Sequence, residues 1–114
     1  MILEVEFEQS GTVTVAHLSG SIDGLTSETL SQAMSGALAE GRSRLIGDFA
    51  RIEYVSSAGL RALLATLKEA RRLGGDLRLA AVGADVYRVL DLSGFTSILK
   101  LYPDLSAAIA SFGP

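Results

Sequence analysis

Two adjacent hydroxyls, Ser56 and Ser57, stand in the run Tyr54-Val55-Ser56-Ser57-Ala58-Gly59-Leu60. A strand-like stretch, Leu45-Ile46-Gly47-Asp48-Phe49, precedes them. Leu60, Leu63, Leu64 and Leu67 follow at the i, i+3, i+4, i+7 spacing of one helix face. A serine at such a junction can cap the helix by accepting a backbone N–H, worth ~1 kcal/mol. It can hold an anion near the free amides of the first turn. It can also accept a phosphate, whose nearly two negative charges the positive helix end tolerates. Nucleophilic catalysis would need a base beside the hydroxyl. The junction is not a Gly-x-Ser-x-Gly elbow, and the one histidine, His17, is far away in sequence with no obvious partner. Intrinsic enzymatic activity is therefore not expected.

Other polar residues have simpler expected roles. Asp23 precedes Gly24 and suits an Asx turn. Asp48 is expected to end a strand and cap the next turn; the sequence shows no second acid or histidine beside it, so no metal site is expected. Arg61, Lys68, Arg71 and Arg72 give one helix a basic, solvated face, and late-turn cations complement the helix dipole. With no cysteine and a single histidine, disulfides, thiolate sites and multi-histidine metal centres are excluded. No phosphate-loop motif is present, and no cofactor is expected. The net charge of −3 gives no nucleic-acid footprint. No apolar run approaches the ~20 residues of a membrane span, and Met1 to Glu6 do not start like a signal peptide. A cytoplasmic protein is expected, with residues 1–114 as one domain.

The elements that must hold the serines follow from periodicity. Residues 2–8 alternate apolar and acidic, a strand with one wet face, and Ser10-Gly11 reads as a turn. Thr12 to Leu18 reads as a second strand, closed by Ser19-Gly20-Ser21. Thr26 or Ser27 is expected to cap a helix running toward Gly41. Arg44 to Phe49 reads as a strand, Ser57 to Leu73 as a helix ended by Gly74-Gly75, and Leu77 to Val82 as a strand. A short helix around Val86, Val89 and Leu90 stops near Ser93-Gly94. A last strand is expected at Ile98 to Leu101, then a helix from Asp104 to Phe112 with Pro103 at its start. The order predicts an α/β fold: a mixed sheet of four to five strands with about four helices packed against it. Sites in such sheets sit beyond the carboxyl ends of strands. Two loops qualify: Gly20 to Gly24, and Ile52 to Ser57.

These residues resemble the STAS domains, and more narrowly the bacterial anti-sigma factor antagonists. The resemblance rests on Leu18-Ser19-Gly20-Ser21-Ile22-Asp23, the strand ending in Asp48-Phe49, the serine motif, Gly74-Gly75, and Val89-Leu90-Asp91-Leu92-Ser93-Gly94-Phe95. It implies the STAS fold and a partner-switching regulator. The unmodified form would bind an anti-sigma factor that is also a serine kinase of the histidine-kinase-like ATPase type. Phosphorylation would release it, and a metal-dependent serine phosphatase would reset the system. By position the resemblance assigns the phosphoacceptor to Ser57, with Ser56 as second candidate. The implied partner surface comprises Ile22, Asp23, Gly24, Leu25, Thr26, Tyr54, Val55, Ser56, Ser57, Ala58, Gly59 and Arg61. The alternative is a STAS subunit of a bacterial lipid-transport ABC transporter.

Overall fold

Five strands and four helices are present among residues 2–113, which the computed structural model describes; Met1 and Pro114 lie outside them. In chain order they are β1 (Leu3–Ser10), β2 (Val13–Ile22), α1 (Ser27–Ala39), β3 (Arg44–Val55), α2 (Ser57–Arg72), β4 (Asp76–Ala80), α3 (Ala84–Leu92), β5 (Lys100–Tyr102) and α4 (Leu105–Ser111), with a 3-10 turn at Phe95–Ser97. The sheet order is β1-β2-β3-β4-β5. β1 and β2 form an antiparallel hairpin, and every later pairing is parallel. Parallel neighbours need crossovers, which the helices supply. The loops into α1, α2 and α3 therefore leave from one edge of the sheet.

Two apolar clusters sandwich the sheet. Leu45 and Phe49 of β3 join Leu30 and Met34 of α1 and Leu63 and Leu67 of α2 on one face. Ile46 joins Val13, Val15, Ala80 and the α4 residues on the other. Leu45 and Ile46 enter different clusters because successive strand residues point to opposite faces. Leu63 and Leu67 are almost fully buried, and burial of a leucine side chain contributes about 1.5–3 kcal/mol. The second cluster is closed by Phe112, whose ring lies under the Arg78 guanidinium, 4.0 Å from ring centroid. Arg78 also joins Arg71 in holding Asp76, a carboxylate 9% exposed. Removing either arginine would leave a buried charge poorly compensated.

Four differences from the sequence expectation bear on the site and its supports. β3 does not stop at Asp48 or Phe49 but runs to Val55. It carries one residue more than β2 between the pairs His17↔Asp48 and Ser19↔Arg51, and another between Gly20↔Ile52 and Ser21↔Tyr54. These two bulges break the alternation. Phe49, Ile52 and Val55 reach the same cluster at a spacing of three, a pattern that does not read as a strand. β2 continues through Gly20 and Ser21 to Ile22, so Gly20 is a strand residue. Its φ is +120°, and a Cβ there would strike the Ile2 carbonyl; glycine meets both conditions. Pro103 precedes the cap of α4 instead of opening the helix, because Asp104 takes the cap with its Oδ1 accepting the Ala107 N–H.

The fourth difference concerns Asp48 and His17. Asp48 lies within β3, and His17 has partners after all. Its Nδ1 is 2.8 Å from Asp48 Oδ2 and its Nε2 2.8 Å from Glu8 Oε1. Ionised carboxylates only accept, so both contacts are satisfied together by the imidazolium, which donates from both nitrogens. Glu8 foremost, then Asp48, raise the His17 pKa above its ordinary value, against an opposing effect of burial. Among the described residues no group of three or more such side chains is arranged to hold a metal ion. The raised pKa fixes the sign of a pH effect. The His17 contribution to stability is fully present below the unfolded value of ~6.5 and is lost as pH rises through the folded value. The denaturation midpoint should therefore fall between about pH 6 and about pH 8 more steeply in the native protein than in His17→Gln. Chemical denaturation at the two pH values checks this; parallel behaviour of both proteins refutes it.

Candidate functional site

The serine motif sits where β3 hands over to α2. Ser56 is the N-cap, with extended backbone (φ −90°, ψ 176°), and its Oγ accepts the Gly59 N–H at 3.2 Å. Its own N–H donates to the Ile22 carbonyl at 2.8 Å. Ser56 is half-buried, and both polar handles are used. Ser57, the first residue of the helix, is exposed. Its hydroxyl has no hydrogen-bond partner among the described residues. Capping and exposure, open alternatives for either serine in the sequence, thus fall on different residues.

The bond from Ser56 to Ile22 ties this junction to the end of β2, and Gly59 tightens the tie. A Cβ on Gly59 would lie 2.8 Å from both Ile22 Cγ2 and the Ile22 carbonyl, and 3.0 Å from Val55 Cγ1. The first turn of α2 therefore rests directly on the two strand ends. Next to Ile22, the Asp23 Oδ1 accepts the N–H groups of Leu25 and Thr26 at 2.9 and 3.0 Å. Chiefly the Thr26 amide, assisted by that of Leu25, lowers the Asp23 pKa. Asp23 is thus the Asx residue expected. Thr26 holds the cap position of α1 without capping it. Its hydroxyl donates to the Ser21 carbonyl at 2.7 Å and accepts the Asp23 N–H at 2.9 Å. This closed loop leaves Leu25 82% exposed.

Of the expected partner surface, Ile22, Thr26, Val55 and Gly59 are buried. They cannot present side chains to a partner and form the floor instead. Asp23, Ser56 and Ala58 are half-buried, while Gly24, Leu25, Tyr54, Ser57 and Arg61 are exposed. Leu25, in the loop after β2, and Tyr54, next to the last residue of β3, are the two large hydrophobic residues of this set that are exposed. One charged neighbour outside the expected set is Glu53, exposed on β3 four residues before Ser57. His17 is no base for Ser57. It pairs with Asp48, and the strand from Asp48 to Val55 spans roughly 20 Å at 3.3 Å per residue.

The cap assigns Ser56 a measurable role. Ser56→Ala should lower stability by ~1 kcal/mol, about 4 °C in thermal midpoint for a chain of this size, and leave the Ser57 hydroxyl exposed. A melting curve unchanged from the native one would contradict the cap.

The STAS domain family model matches residues 4–108. The chain belongs to the STAS domain family. The candidate anti-sigma factor antagonist BtrV of Bordetella bronchiseptica is 30% identical over 110 residues, which cover 96% of this STAS protein and 95% of BtrV. An anti-sigma factor antagonist from Mycobacterium paratuberculosis has the same fold, with a TM-score of 0.87, 29% identity, and coverage of 96% of this chain and 92% of that one. The Bacillus cell fate determinant SpoIIAA, solved in its phosphorylated form, superposes with a TM-score of 0.74 at 21% identity, covering 96% and 99% of the two chains. At that identity the likeness is one of fold. These relatives are named as regulators, not as enzymes. No helix among the described residues is long and apolar enough to cross a membrane.

Proposed function

We propose that this protein is an anti-sigma factor antagonist that switches partners through phosphorylation of Ser57. The observation that carries the reading is the division of labour between the two serines. Ser56 is committed to the α2 cap, and the exposed Ser57 hydroxyl is free to react. Similarity to named antagonists supports an anti-sigma factor as partner, and the proposal takes that partner to be a serine kinase of the histidine-kinase-like ATPase type. SpoIIAA, a protein of the same fold, has been solved phosphorylated. The protein would work in the cytoplasm as a substrate, without catalysis of its own.

In the transfer, Ser57 Oγ would attack the γ-phosphorus of ATP held by the kinase. The Oγ–P bond forms, the bridging bond to the β-phosphate breaks, ADP leaves, and the hydroxyl proton passes to a base of the kinase. A metal-dependent phosphatase would hydrolyse the phosphoserine. The unmodified surface would bind through Leu25 and Tyr54, with the Asp23 loop and first turn of α2 around them. A dianion at its centre would disfavour that contact by desolvation and charge.

Incubation with the co-purifying kinase and ATP, followed by mass mapping, tests this. Phosphate on Ser57 supports the reading; phosphate on Ser56 or elsewhere refutes it. Co-purification with transporter subunits in place of a kinase would favour the lipid-transport alternative.

A further inference from the structure

We propose that Arg61 is an intramolecular latch for the phosphate on Ser57. The inference rests on Ser57 being the phosphoacceptor and deepens that reading. Ser57 and Arg61 both lie on α2 and both are exposed. Four residues apart, they are neighbours on one helix face, with Cβ atoms about 6 Å apart. Helical side chains lean toward the N-terminus, so position 61 is placed for its side chain to reach back over Ser57. An anion one turn before a cation is also the favoured order for such a pair.

Arg61 is available for this role. The other arginines of α2 are engaged: Arg71 with Asp76, and Arg72 with Glu69. Arg61 makes no ion pair among the described residues. A guanidinium offers a planar fork of donors that fits two phosphate oxygens. The segments that adjoin the start of α2 carry two acids, Asp23 just beyond Ile22 and Glu53 on β3. Asp23 is already occupied by the amides of Leu25 and Thr26.

The latch gives Arg61 different work in the two states. In the unmodified protein its guanidinium is a free cation on the binding surface, open to an acidic group of the partner. After phosphorylation it turns to the phosphate. Modification then adds negative charge to the surface and withdraws a positive one from it, so release has two electrostatic causes.

The test uses protein with phosphoserine inserted at position 57 during translation, which requires no kinase. The second ionisation of the phosphate is followed by phosphorus NMR titration in the native background, Arg61→Gln, Arg61→Lys and Lys68→Gln. Asp23 and Glu53, which act on the phosphate in the opposite sense, are the same in all four. Arg61→Gln should raise the phosphate pKa by about 0.15–0.4 unit, the size of an exposed i, i+4 ion pair read through a pKa. Arg61→Lys should restore part of the shift. Lys68 lies roughly 16 Å along the helix from Ser57, beyond a Debye length in physiological salt, and its loss should leave the curve in place. Coincident curves for the native and Arg61→Gln proteins, or equal shifts from Arg61→Gln and Lys68→Gln, overturn the latch. Such a failure leaves the phosphate mapping to Ser57 intact, whereas phosphate mapped to another residue sinks the proposed function and not the titration.

Discussion

A Ser57→Ala protein should stay bound to its kinase in the presence of ATP. Ser57 is exposed and its hydroxyl holds no other group, so the substitution should change stability by less than about 0.5 kcal/mol. What it removes is the proposed acceptor. The native protein, mixed with kinase and ATP, should dissociate as phosphate accumulates. Charge repulsion and desolvation at an interface cost several kcal/mol, which corresponds to a Kd weakened on the order of 100- to 1000-fold. Size-exclusion chromatography of the two mixtures, with and without ATP, separates the outcomes. Ser57→Asp should fall between them, since one carboxylate carries half the charge of a phosphate and lacks its shape. Release of the Ser57→Ala protein by ATP, or tight binding of phosphorylated native protein, would end the partner-switch reading.

Gly59→Ala should destabilise the protein, against the intrinsic preference of a helix. Alanine is favoured over glycine in helix interiors by up to about 1 kcal/mol. At Gly59, however, the added methyl would meet Ile22 and Val55 at 2.8–3.0 Å, two of those contacts with β2 at the end that carries the Asp23 loop. Overpacking of this kind costs about 1–3 kcal/mol. The net loss of about 1–2 kcal/mol is roughly 4–8 °C in thermal midpoint. Gly36→Ala in α1 provides the contrast. Nothing lies within 4 Å of a Cβ at Gly36, so the same change there should stabilise by about 0.4–1 kcal/mol. Gly59→Ala should also weaken kinase binding, because displacing the first turn of α2 from Ile22 disturbs the Ser56 bond that joins the two loops. Thermal melting of both variants decides the matter: equal stabilisation by the two substitutions would show that Gly59 is not a packing glycine.

The legible parts of the fold were those with intact periodicity. The helix after Ser57 was evident from its leucine spacing, and the β1–β2 hairpin from alternation and the Ser10-Gly11 turn. The serine motif could be located for the same reason: it lies where a strand pattern gives way to a helical one. The strand approaching it was less legible. Two bulges in β3 set Phe49, Ile52 and Val55 three apart, and the exposed Ala50, Arg51, Glu53 and Tyr54 between them resemble a loop. The Glu8–His17–Asp48 cluster was hidden because its members lie on three strands, with Asp48 31 residues from His17. The choice between Ser56 and Ser57 depended on which oxygen faces the Gly59 amide, a torsional detail no residue pattern reports. Burial of Ile22, Thr26 and Val55 was invisible for a similar reason, since a motif does not distinguish a surface from the floor beneath it.

The sheet order β1-β2-β3-β4-β5 is also the order of synthesis. No strand has to be inserted between two that are already paired. On the ribosome, each strand that emerges finds its neighbour's edge waiting, and the nascent sheet grows in one direction. The segment from Ser56 to Gly75 takes on the order of seconds to translate. Throughout that interval the outer edge of β3, with Leu45, Ile46 and Phe49, has no β4 beside it. An open apolar edge invites pairing with other chains, and a charged residue within it discourages this. Asp48 lies within that run, so the carboxylate that holds His17 in the finished protein is also a charge of the kind that discourages such pairing.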